Sequence, residues 1–335
     1  MKNRVILTLL LLATLTACSP QGTPQNTTPN SQLSEIGGDA FTYNGDGSDL
    51  LSVVSDRTGK RVLITPEGNE VLDLDIGYPI GEGLLYVPGT GGITLEGKNV
   101  FPDKFEHLGM FVNGLAPAGE ISPSDKQVKY GFINPAGTYV INPVYWGASE
   151  YSEGYAAVAI DEEESGFIDA SGNLVYRGFG STKPFSEGLA VVSDLETGLY
   201  GYIGLDGRYV IEPAYQAARP FSEGLAAVAL PSEKLEERQF GYIDKKGAFI
   251  LEASYGSAGE FWGGIAAVTY GDLYDGTYHF IDTAGKEVFD SIYDVAFAIK
   301  RAGAGVFQVC KPGGNMFFMH SDGNRALERF SPSNL

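Results

Sequence analysis

Apolar residues along this chain come in short runs, each closed by glycine or a polar turn and reopened a few residues later. Gly224 to Ala229 (GLAAVA) and Gly188 to Val192 (GLAVV) are apolar at every position, which suits strands covered on both faces. Each such run is followed by a second strand of the form GYID. That strand ends in a turn with Asp first and Gly fourth, as in Asp244, Lys245, Lys246 and Gly247. Asp accepts hydrogen bonds from the turn backbone while Gly takes the left-handed conformation, so the pattern predicts a tight hairpin. A further strand starts at once, as in Tyr209, Val210 and Ile211. Beyond it lie aromatic pairs six residues apart: Phe105 and Phe111, Tyr145 and Tyr151, Phe179 and Phe185, Tyr215 and Phe221, Tyr255 and Phe261. An even separation places both rings on one face of an extended segment, where they are expected to bracket the edge of a neighbouring unit as core packing.

The whole pattern repeats. The turn glycine recurs at Gly68, Gly97, Gly137, Gly172, Gly207, Gly247, Gly285 and Gly323. A second landmark, at the start of each apolar run, recurs at Leu50, Gly83, Gly114, Gly154, Gly188, Gly224, Gly264 and Gly305. Both series have eight members at spacings of 29 to 41 residues, in the range of solenoids, propellers and arrays. The predicted fold is all-β, built from eight repeating units over residues 39–330. A propeller-like closed ring is favoured because neither end offers a polar cap, with an open β-solenoid as the alternative. The last unit ends a strand short at Arg325 to Phe330, and Ala40 to Tyr43 is expected to complete it.

These residues resemble the WG-repeat proteins of bacteria, whose unit runs as aromatic-Gly-Tyr-Ile-Asp, a turn Gly, a Val-Ile strand, a Tyr, then Phe-Ser-Glu-Gly-Leu-Ala. Residues 130–285 carry the likeness strongly, and residues 50–129 and 286–330 weakly. At the Trp position stand Tyr130, Ser165, Tyr200, Phe240 and Tyr278, while the literal pairs Trp146-Gly147 and Trp262-Gly263 fall out of register. The resemblance implies an architecture and no particular reaction.

Charge and the N-terminus narrow the setting. Lys2 and Arg4 precede an apolar run from Val5 to Leu12, and Leu15, Thr16, Ala17 and Cys18 resemble a bacterial lipobox. Residues 1–17 therefore read as a lipoprotein signal peptide, and Cys18 as the lipidated residue. Ser19 after the cysteine points to the outer membrane of a two-membrane envelope. Residues 18–38, rich in Pro, Gln, Asn, Thr and Ser, read as a disordered tether. Formal charge is −19, and −21 without Lys2 and Arg4, so nucleic acid and anionic lipid headgroups are poor partners. With Cys18 lipidated, Cys310 has no disulfide partner and is expected to be a buried structural thiol.

Candidate chemistry is sparse. Acidic residues precede the second landmark at Asp49, Glu82, Glu153, Glu187 and Glu223; the favoured reading is that each solvates its turn, and the alternative is that together they form an acidic rim able to take cations, basic peptide segments or amino sugars. Glu187 is the member with no evident structural duty. Asn44, Asp46, Ser48 and Asp49 fail the calcium-loop pattern at Asp49 and Ser55, and Asp161 to Glu164 and the pair Asp272 and Asp275 read as solvated loops. His107, His279 and His320 lack ligand spacing, and no nucleophile or phosphate-loop motif is present, so no catalytic residue, metal or cofactor is assigned. The expected function is that of an envelope-anchored, monomeric, non-catalytic binding or scaffolding module for a protein or envelope ligand. A polysaccharide-binding or polysaccharide-active protein is the alternative.

Overall fold

The computed structural model describes residues 50–55, 61–65, 69–73, 77–234, 238–270, 277–289, 292–298, 306–312, 316–326 and 330–332. The chain divides into two compact units, Met1–Gln32 and Leu33–Leu335. The first lies wholly outside the described residues, as do the signal peptide, Cys18, the tether, Ala40 to Tyr43, Asp49, Gly68 and Gly305. All that follows concerns the second unit.

Every regular element among the described residues is a β-strand, and no helix long and apolar enough to cross a membrane is found there. The strands form six antiparallel sheets of four, four, four, seven, six and four strands, and almost every strand pairs with its neighbours in sequence. The larger sheets arise where one long strand serves two consecutive units. In Leu174–Thr182, the stretch from Leu174 to Phe179 pairs with Ser165–Asp169, and the stretch from Phe179 to Thr182 pairs with Leu189–Asp194. Phe249–Ala258 is divided in the same way between Phe240–Ile243 and Ile265–Tyr270. The fold is thus all-β and propeller-like, a succession of antiparallel meanders, most of them four-stranded. One pairing departs from chain order. Phe330–Pro332 joins Leu51–Ser55 through the pairs Val53 with Pro332, Val54 with Ser331 and Ser55 with Phe330. The C-terminal strand therefore completes the first sheet.

Burial follows the polarity pattern. Ala226–Ala229 is buried throughout, as befits a strand with neighbours on both faces. The outer strand Tyr139–Tyr145 alternates half-buried with exposed residues, leaving Val140 and Val144 more than half exposed at 57% and 59%. Pro143 and Pro213 sit in such outer strands, where a missing N–H discourages pairing with another chain. The predicted Asp-x-x-Gly turns form as expected. Asp244 Oδ1 accepts from the amides of Lys246 and Ala248 at 2.9 Å each, and the Gly247 amide closes on the Asp244 carbonyl at 2.9 Å. In the equivalent turn, hydrogen bonds from the Asn173 side chain and then from backbone amides hold the Asp169 carboxyl below the usual carboxylate range.

The glycine of the GYID strand has a steric cause. A Cβ on Gly131 or Gly166 would lie 2.3 Å from the carbonyl oxygen of Ile141 or Tyr176, and one on Gly201 or Gly241 would lie 2.6 Å from that of Ile211 or Leu251. The outer strand shifts register here and folds its backbone over the glycine. His279 occupies this position in the following unit. There, among the described residues, the outer segment makes isolated bridges, Tyr278 with Tyr293 and Ile281 with Glu287.

The six-apart aromatics lie on one face and bracket a third ring. Phe179 and Phe185 have centroids 6.3 and 4.9 Å from Phe167, and Tyr255 and Phe261 have centroids 6.1 and 4.8 Å from Tyr242. Phe185 and Phe261 open the next unit in sequence, so the pair joins two units through one shared ring. Buried hydroxyls reinforce the joint. Tyr202 donates to the Arg219 carbonyl at 2.8 Å and Tyr242 to the Gly259 carbonyl at 2.9 Å. Burial pushes both phenols well above their ordinary pKa, so they remain protonated donors. Cys310 is buried at 1% exposure, as expected of a core thiol.

Candidate functional site

The Ser-Glu-Gly-Leu segment is a two-residue hairpin. Ser152 bridges Tyr155, Ser186 bridges Leu189 and Ser222 bridges Leu225, each across a Glu-Gly pair. Both central residues have positive φ: Glu82, Glu153, Glu187 and Glu223 at 55°, 54°, 55° and 54°, and Gly83, Gly154, Gly188 and Gly224 at 71°, 93°, 85° and 81°. Two successive left-handed residues match the twist of the flanking strands, and they favour Asn-Gly or Gly-Gly. Glutamate there costs about 1 kcal/mol of backbone strain, so its recurrence needs a compensating contact.

That contact reaches the next unit. Glu82 accepts from the Gly114 amide at 3.0 Å, Glu153 from the Gly188 amide at 2.9 Å, and Glu187 from the Gly224 amide at 3.0 Å. Glu223 accepts from both Gly263 and Gly264 amides, at 2.7 and 2.9 Å. Each carboxylate thereby ties its hairpin to the equivalent hairpin one unit on. The serines add a parallel link: the hydroxyls of Ser152, Ser186 and Ser222 donate to the carbonyls of Phe185, Phe221 and Phe261 at 2.6, 2.7 and 2.6 Å. Where the carboxylate is absent, the residue is one at ease with positive φ, namely Asn113 at 52° or Gly263 at 60°. Glu187, expected to lack a structural duty, is therefore a latch like the others.

Three of the latches line a groove of about 570 Å³, walled by Glu153, Glu187, Glu223 and Glu260, with Pro184, Pro220 and Trp262 among its apolar lining. Of the five predicted rim acids, three line this groove. Glu82 belongs to an earlier hairpin outside it, and Asp49 lies outside the described residues. Lys245 approaches from the adjoining turn, its ammonium 3.1 Å from Glu187 Oε2 and 2.9 Å from the Glu187 carbonyl.

Sequence reasoning missed the serines, Lys245 and Trp262. Part of the signal for the serines was present: Ser and Glu occur together at 152–153, 186–187 and 222–223 and depart together at 112–113 and 262–263, whereas Glu82 follows Gly81. Lys245 is distant in sequence from Glu187, so only the stacking of units unites them.

The other candidates satisfy themselves locally. Asp161 accepts from the amides of Glu163 and Glu164 at 2.8 Å each, and Glu164 pairs with Arg177. His107 stacks on Tyr130, and His279 Nδ1 lies 3.5 Å from Glu287 Oε2. Among the described residues, no three His, Cys, Asp or Glu side chains are grouped to hold a metal. Asn44, Asp46, Ser48, Asp272 and Asp275 lie outside them.

No curated protein matches this chain in sequence. Solved structures similar to it include a eukaryotic initiation factor, at 12% identity over 82% of each chain with a TM-score of 0.52, a likeness of fold alone. BamB from Moraxella catarrhalis has 12% identity over 81% of this chain and 79% of its own, with a TM-score of 0.40. The WD40 beta propeller domain of Doa1 has 10% identity over 83% of this chain and 94% of its own, with a TM-score of 0.36. The WG containing repeat matches residues 130–162, 166–194, 200–230 and 240–274, the stretch that supplies the latched hairpins at Glu153, Glu187 and Glu223 but not the one at Glu82. The chain thus carries four tandem copies of the WG containing repeat.

Proposed function

We propose that the chain is a non-catalytic binding or scaffolding module, an eight-bladed ring held at the bacterial cell envelope by a lipid on Cys18. Three lines support this reading. Dividing the seven- and six-stranded sheets each at its long strand gives eight blades, seven of four strands and one, ending at Tyr278–Asp282, of three among the described residues. Pairing of Phe330–Pro332 with Leu51–Ser55 is the arrangement by which chain termini close a ring. The Leu15 to Cys18 tetrad followed by a tether supports anchoring with the body held clear of the membrane, the outer membrane being favoured by Ser19.

The observation that carries the functional part is the groove. It is the concave surface formed where successive hairpins meet, and its walls come from different units, so its shape is held by the latches. Repeat folds place their contact surfaces on such rims. The test is a photo-activatable phenylalanine analogue at Glu260, inside the groove, compared with one at exposed Val210 on an outer strand, in cells carrying the full chain. Adducts with one protein, formed from Glu260 and not from Val210, are the expected result. An adduct with envelope glycan would favour the polysaccharide reading, and equal labelling from both positions would overturn the groove as the contact surface.

A further inference from the structure

We infer that the groove docks an extended segment of a partner protein bearing lysine or arginine side chains, seated on the Glu153 and Glu223 hairpins; this rests on the binding-module reading above. The chain itself displays the recognition. Lys245 places its ammonium against two acceptors of one hairpin, the Glu187 carboxylate and the Glu187 carbonyl, at 3.1 and 2.9 Å. The carboxylate oxygen involved, Oε2, also accepts the Gly224 amide at 3.0 Å. Latching a neighbour and holding an ammonium are therefore compatible in one carboxylate.

The hairpins at Glu153 and Glu223 repeat this geometry: the same left-handed Glu-Gly pair and the same latch to the next unit. What differs is the cation. The position of Lys245 in its turn is held by Leu205 in the unit facing Glu153 and by Thr283 in the unit facing Glu223. Among the described residues, neither Glu153 nor Glu223 has an ion-pair partner, and both are exposed. Two equivalent seats thus flank one that is filled from within.

The lining selects a long aliphatic cation over a compact one. Pro184, Pro220 and Trp262 offer apolar surface for methylene stems, and an indole face attracts an ammonium or guanidinium. Lys245 shows that a four-carbon stem spans the distance from a turn backbone to the seat. An amino sugar carries its ammonium on the ring and lacks that stem. The overall charge of −19 favours approach of any basic segment, but the seats give it a place.

The test uses the full chain in detergent with Trp146→Phe. Of the two tryptophans this leaves Trp262, in the groove wall, as the single indole reporter. Octalysine, octaglutamate and a glucosamine hexamer are titrated in turn. Saturable change in Trp262 emission with octalysine and none with octaglutamate is expected. Glu153→Gln with Glu223→Gln removes the charge while leaving one acceptor oxygen on each side chain, enough for the single amide at Glu153 and for one of the two amides at Glu223, and it weakens octalysine binding about tenfold. The exposed outer-strand pair Glu212→Gln with Glu252→Gln removes the same charge and changes binding by less than about twofold. Equal weakening by both double variants, no weakening by the groove pair, or tighter binding of the glucosamine hexamer would each overturn the inference. Failure of octalysine to bind also overturns it. The binding-module reading would stand or fall separately, on the cross-linking from Glu260.

Discussion

Phe261→Ala is expected to lower the unfolding free energy by about 4 kcal/mol, read as a fall in the urea midpoint. Phe261 is fully buried, and its ring lies 4.8 Å from Tyr242, the ring that Tyr255 flanks from the other side. Its carbonyl also accepts the Ser222 hydroxyl at 2.6 Å. Truncation leaves a cavity where two units meet, and the surrounding β-backbone, paired on both sides, has little freedom to collapse into it. Val140→Ala on the outer strand, at 57% exposure, serves as the comparison and should cost well under about 1 kcal/mol. A loss of that smaller size at Phe261 would mean that the shared rings do not join the units.

Gly131→Ala should cost about 3 kcal/mol, although it adds one methyl group to an apolar strand. The new Cβ would meet the Ile141 carbonyl oxygen at 2.3 Å and backbone atoms of Asn142 and Pro143 at 2.7 Å. Backbone cannot rotate aside as a side-chain tip can, so the outer strand must detach locally. Amide exchange along Tyr139–Tyr145 should then rise while Ala116–Ile121, on the other side of the strand, stays protected. His279 already illustrates the outcome, since among the described residues its unit shows isolated bridges where Gly131 has a ladder. Unchanged protection in Gly131→Ala would show that the glycine serves another purpose.

Much of this fold was legible because its causes are local. Period and polarity predicted the fully buried Ala226–Ala229 and the turn at Asp244 to Gly247, and both formed as expected. The six-apart aromatics were legible as core, since an even spacing leaves no other face. The candidate site was read less well. Recurrence of Glu187 and its equivalents marked them, but their duty depends on a partner amide about one unit further along the chain, which no local pattern encodes. Exposure was a poor guide as well. Glu153 and Glu223 are exposed and yet tie one unit to the next. The steric reason for Gly131, Gly166, Gly201 and Gly241 was equally hidden, because it lies in the register shift of a strand some ten residues away.

The central claim is that the recurring glutamates are kept in a strained conformation because they latch successive units. Glu223 is the place to test it, with φ at 54° and two amides, Gly263 and Gly264, on its carboxylate. Glycine is relaxed at that φ, so a glutamate that merely solvated a turn would be improved by Glu223→Gly, by up to about 1 kcal/mol. A latch contributes more than the strain costs, and its loss should outweigh the relief. The measurement is the urea midpoint of Glu223→Gly against the unsubstituted chain at equal slope. A fall corresponding to about 1 kcal/mol is predicted. An unchanged or raised midpoint would contradict the latch.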